Sequence, residues 1–200
     1  MGTIILQLGK LSAIKYIFIA LPFAFLSTSE ISFTNITDSI FPGHQQEYQI
    51  GERGPAGGTI FHDKGSYSNG WRYMEVAPSH QGDTKWGCNG LSISTGTDVG
   101  SGKSNTQQIV SNCDDYSTAA EITENLRLGG NTDWYLPSRE ELNLIYRNLH
   151  AKREGPMMDT RYWSSSQYNE NEAWAQFFGD GRKIQASTDL TFRVHAIRSF

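Results

Sequence analysis

Hydroxyl and acidic side chains cluster at two places in this sequence, and each cluster could belong to a hydrolytic site. The first is Ser164-Ser165-Ser166, which follows Trp163, and the second is Ser138, which precedes Glu140 and Glu141. A serine nucleophile needs a general base and an orienting acid within hydrogen-bond reach. The five histidines of the chain stand in unrelated local contexts, and none carries a triad signature. The sequence therefore does not favour a serine hydrolase, and we expect no enzymatic activity.

The segment Leu136-Pro137-Ser138 is better explained as the start of a helix. A proline disfavours helical geometry in the residue before it, and a serine hydroxyl at the N-cap accepts hydrogen bonds from first-turn amides. Ser138 and Glu141 also have the spacing of a capping box. The serine is therefore predicted to stabilise a helix rather than to react.

An exposed contact surface is predicted for the polar segment Gln167 to Glu172, together with a loop around Ser92 to Gly102. Tyrosine offers rigid amphipathic area, and asparagine offers adaptable donors and acceptors. An ordinary polar loop has the same composition, so that alternative stays open. The serines before this segment are interpreted first as strand residues packed beneath loops, with ligand contact as the alternative. The predicted ligand-contacting residues are Ser164, Ser166, Tyr168, Asn169 and Asn171.

The beginning of the chain has the pattern of a secretory signal peptide. Lys10 and Lys15 precede an apolar run from Tyr16 to Leu26, after which small and polar residues follow. This order is typical of exported proteins, and we predict a signal peptide over residues 1–29. The run is shorter than the roughly 20 residues of a membrane-crossing helix. We therefore predict that the protein is secreted or lies in the periplasm or at the cell surface, without a permanent membrane span. A signal anchor and a mis-assigned start are the alternatives to a signal peptide.

Export gives the only two cysteines, Cys88 and Cys113, a structural interpretation. In an oxidising compartment such a pair forms a disulfide bond, which we predict here. A metal-binding or catalytic thiol pair is the alternative, and their wide separation without a nearby histidine disfavours it. Calcium-dependent sugar binding would require oxygen ligands in a compact loop, and the corresponding signatures are missing. We therefore predict neither a metal site nor a cofactor.

Composition limits the remaining partners. The chain has 200 residues, a formal net charge of −4 and 19% charged residues. A nucleic-acid-binding protein would need clustered Lys and Arg, so nucleic acid is excluded as a partner. The length suits one domain after a leader. We predict a linker over residues 30–53 and a single domain over residues 54–200.

The elements that must position these residues can be predicted from periodicity and turn signals. Two strands, 59–62 and 71–76, are separated by a glycine-rich turn and predict a hairpin. Two main helices follow the capping boxes that begin at Thr118 and Ser138. A shorter helix is plausible over Asn105 to Asn112, and the region from Gln81 to Lys103 is expected to be a long ordered loop.

The C-terminal part completes an α+β domain. The aromatic and β-branched residues from Arg161 to Phe200 predict several strands, with a turn at Gly179-Asp180-Gly181. The aromatic side chains Trp174, Phe177 and Phe178 are expected mainly in the core. The predicted architecture is loop-rich, with two main helices and a twisted antiparallel sheet.

Three segments of the chain carry recognisable motifs, namely Trp134 to Leu142, Tyr162 to Ser166 and Phe192 to Arg198. Together they resemble the Lcl C-terminal domain family of bacterial surface proteins. This family is related to the formylglycine-generating-enzyme branch of the C-type-lectin-like fold, so the resemblance implies that fold over roughly residues 54–200. It further implies a secreted or cell-envelope binding module for an extracellular protein or glycan, with an adhesin function as in the collagen-like member of the family.

Other functions follow from the same resemblance as alternatives. Formylglycine-generating chemistry depends on reactive cysteines in the C-terminal part, and none follows Cys113. A structural envelope protein without a ligand is the remaining alternative. Arginines recur in the terminal strand of the family, and for Arg193 and Arg198 we favour structural ion pairs over an anion site.

Overall fold

Eight strands and three α-helices build residues 46–200, the part of the chain that the computed structural model describes. The strands are β1 (Thr59–Ser68), β2 (Trp71–Val76), β3 (Gly82–Lys85), β4 (Arg161–Asn169), β5 (Glu172–Phe177), β6 (Arg182–Ser187), β7 (Thr191–Val194) and β8 (Ile197–Ser199). The helices are α1 (Gly102–Asn112), α2 (Ala119–Glu124) and α3 (Arg139–Asn148), and a 3-10 helix follows at His150–Lys152. The α+β class is confirmed. The predicted signal peptide and the first part of the predicted linker lie outside the described residues.

The strands form two sheets. One has three strands in the order β1-β2-β8, and the other has five strands in the order β3-β7-β4-β5-β6. Neighbouring strands are antiparallel except β4 and β7, which share the parallel pair Tyr162 and Arg193. The predicted N-terminal hairpin is confirmed as β1 and β2, and the turn predicted at residues 179–181 connects β5 to β6.

The predicted helix starts are present with one difference. The Ser138 hydroxyl accepts the Glu141 amide, and the Glu141 carboxylate accepts the Ser138 amide, which completes a capping box. The Thr118 hydroxyl accepts the Glu121 amide at 3.2 Å, but the Glu121 carboxylate accepts the amide of Ser117 instead. Only the second capping box is therefore reciprocal.

The region predicted as one long loop, Gln81 to Lys103, contains a strand and the start of a helix, so that prediction was wrong at both ends. β3 is a strand because it pairs with β7 along its whole length, although its sequence is polar. The shorter helix predicted over Asn105 to Asn112 is confirmed as part of α1, which begins three residues earlier. With 11 residues α1 is longer than α2 with six, so the choice of two main helices was incomplete. α1 buries Ile109 among small and polar residues, so it lacks the apolar period that reveals a helix.

Strand β4 separates the two larger hydrophobic clusters. Trp163 packs with residues of α1, α2 and β5, whereas Tyr162 packs with α3 and the three-stranded sheet. Successive strand residues point to opposite faces, so the five-stranded sheet is covered on both sides. Phe178 is buried as predicted, but Trp174 and Phe177 are only partly buried.

Candidate functional site

The structure brings together the two loops that were predicted to carry a contact surface. The Gln167 side chain accepts the Ile93 amide at 2.7 Å and donates to the Leu91 carbonyl at 2.6 Å. The Gln167 amide donates to the Thr95 hydroxyl at 2.8 Å. One side chain and one amide of β4 thus hold the loop between β3 and α1 along the end of the sheet.

Two further contacts join this loop to the turns at the same end of the sheet. The Gly90 amide donates to the Glu170 carbonyl at 2.8 Å, and the Asn89 side-chain amide donates to Asp189 at 2.8 Å. Three segments far apart in the sequence therefore form one continuous surface. We call it the loop-end surface and define it by Asn89–Leu91, Tyr168–Asn171 and Thr188–Leu190.

Large side chains are exposed in each segment of the loop-end surface. Tyr168 is 51% exposed, Leu190 48% and Leu91 43%. The Tyr168 ring packs edge-on against Trp174 with a centroid separation of 5.4 Å. This contact orders the tyrosine while leaving half of its surface to solvent.

The predicted asparagines occupy the turn of the surface. The Asn169 side chain donates to Glu172 at 2.7 Å and accepts the Asn171 amide at 2.9 Å, so it shapes the turn. Asn171 is exposed, and its side chain makes no hydrogen bond within residues 46–200. Tyr168, Asn169 and Asn171 are thus placed together at the surface, as a ligand-contacting set requires.

The other two predicted contact residues, Ser164 and Ser166, lie beneath the surface. Both are fully buried, and their hydroxyls donate to the carbonyls of Trp174 and Gly96 at 2.7 Å each. No histidine hydrogen-bonds either hydroxyl within the described part of the chain. Their position agrees with the packing interpretation and not with ligand contact, because a ligand cannot reach a buried hydroxyl without displacing the loop.

The predicted disulfide between Cys88 and Cys113 is confirmed, with a Cα–Cα distance of 5.4 Å. It joins the start of the loop to the end of α1. The Asp115 carboxylate accepts the Cys88 amide at 2.9 Å and pairs with Lys85 at 3.1 Å. The amide and then the lysine lower the pKa of Asp115 below its usual value. The loop is thus fixed where it leaves β3.

A buried carboxylate, Glu141, fixes the other end of the loop. It accepts the Gly100 amide at 2.8 Å and the Ser138 amide at 2.7 Å. Burial raises its pKa to about 7, although the backbone hydrogen bonds act in the opposite direction. A Cβ atom at Gly102 would overlap this carboxylate and lie 2.9 Å from the Leu136 carbonyl, so only glycine fits there. The sequence identified Glu141 only as a capping residue.

The arginines of the last strands form ion pairs, as predicted. Arg198 is buried and contacts Glu75 and Asp133, at 2.9 Å each. Arg193 pairs with Asp83 at 3.1 Å. These contacts hold the chain terminus to the three-stranded sheet and β7 to β3.

A concave region lies apart from the loop-end surface and shares no residue with it. It is an open groove of about 490 Å³ between the segment Ser79–Gln81 and helix α2, lined also by Arg127. No motif in the sequence indicated it.

Within residues 46–200, no group of three or more His, Cys, Asp or Glu residues could hold a metal ion. The helices of this part are also too short or too polar to cross a membrane.

A comparison with known protein families identifies the family of this chain. A family model described as the Lcl C-terminal domain matches residues 69–198. The chain belongs to the Lcl C-terminal domain family. The matched range contains the whole loop-end surface and the disulfide, so these features lie within the Lcl C-terminal domain.

Among solved structures, similarity was found to a fimbrial protein from Bacteroides ovatus ATCC 8483. The TM-score is 0.45, the sequence identity is 14%, and the alignment covers 64% of this chain. The Lcl C-terminal domain protein corresponds to only 36% of the length of that fimbrial protein. No curated protein matches the chain significantly.

Proposed function

We propose that this Lcl C-terminal domain protein is a non-enzymatic binding module that recognises an extracellular protein or glycan through its loop-end surface. The observation that carries the proposal is the joint exposure of Tyr168, Leu91 and Leu190 on three hydrogen-bonded segments. Exposed apolar side chains on adjoining segments, with exposed polar neighbours such as Asn89, Asn171 and Asp189, are a feature of recognition surfaces. An adhesin function would be one biological use of such a module.

The rigidity of the loop-end surface supports binding at low entropic cost. Gln167 holds the middle of the loop, the disulfide of Cys88 holds its start, and Glu141 holds its end. A surface that is ordered before binding loses less conformational freedom when a partner arrives. This arrangement favours a preformed recognition site over a loop that orders on binding.

A location outside the cytoplasm is part of the proposal. The disulfide between Cys88 and Cys113 is stable in oxidising compartments and rare in reducing ones. The predicted leader over residues 1–29 would provide the export route. A C-type-lectin-like topology is the finer proposal for the fold, and an experimental structure compared strand by strand with that fold would test it.

Two features of the structure, the bonded serine hydroxyls and the disulfide, argue against the enzymatic alternatives. The hydroxyls of Ser164 and Ser166 already donate to backbone carbonyls, so neither is prepared as a nucleophile. Formylglycine-generating chemistry would need reactive thiols, and both cysteines are joined to each other. A purely structural role in the cell envelope would not explain the exposed apolar side chains of the loop-end surface.

The purified protein can be screened on glycan and host-protein arrays with and without a metal chelator. We expect saturable binding that the chelator does not change, because the described residues offer no metal site. The same preparation is incubated with peptide and ester substrates as a control. Turnover of either substrate, or the absence of saturable binding on every array, would contradict the proposal.

A further inference from the structure

Strand β6 forms one edge of the five-stranded sheet and leaves a pairing side free. Its six residues pair with β5 from Arg182 to Ser187 without a register shift. On its other side no strand follows within the described part of the chain. An exposed strand edge is a template for another strand, so it needs either a protective device or a partner.

The residues that face outward can be identified from alternation along the strand. Beside the ladder of β5 and β6, the Thr188 amide donates to the Asn171 carbonyl at 3.0 Å. Hydrogen-bonded pairs alternate with non-hydrogen-bonded pairs in an antiparallel ladder, so the backbone N–H and C=O groups of Ile184 point towards β5. The residues whose backbone groups point outward are Lys183, Gln185 and Ser187. Within residues 46–200 their outward backbone groups have one partner, the Leu190 amide on the Ser187 carbonyl.

Charge protection of this edge is weak. Lysine and arginine on an edge strand normally discourage pairing by repulsion. Here Lys183 is paired with Glu140 at 2.7 Å, and Arg182 is paired with Asp180 at 2.6 Å. Both cations of β6 are therefore compensated within the same protomer.

The sequence of β6 is also complementary to itself in an antiparallel arrangement. Centred on Gln185, such a pair places Lys183 opposite Ser187 and Ile184 opposite Ala186 of a second copy. No like charges meet, and the partly buried Ile184 gains an apolar neighbour. A twofold contact between identical surfaces closes on itself, so it produces a dimer and not a fibre.

We propose that β6 is a self-association edge, through which two copies of the chain join their five-stranded sheets about a twofold axis near Gln185. The interface involves one short strand from each copy, so the association is weak and depends on concentration. The dimer would present two loop-end surfaces, and it forms independently of any ligand. Two binding sites on one dimer raise its avidity for a surface that repeats the same ligand.

Sedimentation of the full chain between about 1 µM and about 1 mM tests the association over the affinity range of a small interface. We expect the mass to rise towards two protomers. Gln185→Pro removes an outward amide that no described residue uses, so it should abolish the rise, whereas Gln185→Ala should preserve it. A constant monomer mass, or association that persists unchanged in Gln185→Pro, would overturn the proposal.

Two further substitutions test the register and remain informative if Gln185→Pro fails to fold. Ser187→Lys places a cation opposite Lys183 of the second copy. Because Glu140 partly compensates Lys183, the two symmetric pairs should together weaken association by about 2- to 5-fold. Ser187→Glu should strengthen it. Within each protomer Glu172 on β5 lies opposite position 187, so either substitution also changes a contact inside the protomer. The unfolding temperature of each variant is therefore measured separately. Equal association of both variants would exclude this register and overturn the proposal.

Hydrogen exchange gives a direct readout of the same contact. The amides of Lys183 and Gln185 should become protected as the concentration rises, while the amide of Ile184 is protected throughout by β5. Protection of Lys183 and Gln185 that does not change with concentration would argue against strand pairing, even if the protein associates by another surface.

Discussion

Glu141 and His195 are both buried, and burial acts on their titration in opposite directions. Burial raises the pKa of Glu141 to about 7 and lowers the pKa of His195 to about 4, because each charged form loses its hydration. The Nε2 atom of His195 donates to the Ala77 carbonyl at 2.7 Å, which defines the neutral tautomer. Between these two pKa values the pH dependence of stability is the difference of two opposing contributions.

Replacing His195 by Gln should remove the loss of stability at mildly acidic pH. The pKa of His195 is lower in the folded state than the unfolded value of 6.5. The contribution of the neutral imidazole to the free energy of unfolding is therefore complete above pH 6.5, and it is lost as the pH falls towards about 4. The loss amounts to about 3 kcal/mol of unfolding free energy. Glutamine keeps an amide donor for Ala77. Urea unfolding between pH 4 and 8 measures the slope, and the exposed His80→Gln is the control. The same acid slope in His195→Gln would contradict this role.

Replacing Glu141 by Gln should reveal the opposite slope. The pKa of Glu141 is higher in the folded state than its ordinary value of 4.5, so its contribution is complete below pH 4.5 and is lost as the pH rises through about 7. Glutamine cannot ionise and can accept only part of the amide hydrogen bonds, which should cost about 1–3 kcal/mol at acidic pH. Urea unfolding across this range should lack the decline in Glu141→Gln, whereas Glu140→Gln should keep it.

Residue types alone could not separate buried from exposed polar groups. Ser164, Ser166 and Tyr168 lie within five residues of one another, and the sequence allowed all three as ligand contacts. The structure buries the serines and exposes the tyrosine. The difference depends on the loop that covers the serines, and the contacts of Gln167 with that loop cross more than 70 residues. Such long-range contacts leave no local signal.

Among the elements, the loop between β3 and α1 is held at its start by the disulfide, in addition to the hydrogen bonds of Gln167 and Glu141. Replacing Cys88 and Cys113 by Ser opens a loop with a sequence separation of 25 residues. The chain-entropy model gives a loss of about 3–4 kcal/mol in unfolding free energy. Denaturant unfolding measures this loss, and hydrogen exchange should show that the Gly90 amide exchanges faster. Unchanged exchange at Gly90 would mean that hydrogen bonds alone hold the loop.

Elements with strong local signals were predictable, and those made by tertiary contacts were not. The hairpin of β1 and β2 and the capping box at Ser138 follow from turn and capping residues. β3 has no apolar alternation and exists through its pairing with β7. α1 was predicted only over Asn105 to Asn112, and the structure begins it three residues earlier, at Gly102, in a Gly- and Ser-rich segment that shows no apolar period.

At the scale of the whole molecule, the two sheets and three helices of residues 46–200 support one preformed surface. The five-stranded sheet carries Tyr168 near the end of β4 and Leu190 on the connection between β6 and β7, and the disulfide-linked loop adds Leu91. Membership of the Lcl C-terminal domain family was predictable because three local segments carry it. The surface was predictable only in part, since Leu91 and Leu190 join it through hydrogen bonds between distant turns.

One pair of substitutions tests most directly whether the loop-end surface binds the partner. Tyr168→Ala and Tyr116→Ala each remove an exposed tyrosine, 51% and 85% exposed, but only Tyr168 belongs to the surface. Affinity for the strongest-binding array component is measured by calorimetry. We predict about a tenfold or greater loss for Tyr168→Ala, as for a central aromatic contact, and less than about a twofold change for Tyr116→Ala. Unchanged affinity in Tyr168→Ala, or loss of binding only when Arg127 of the groove is replaced by Ala, would contradict the account.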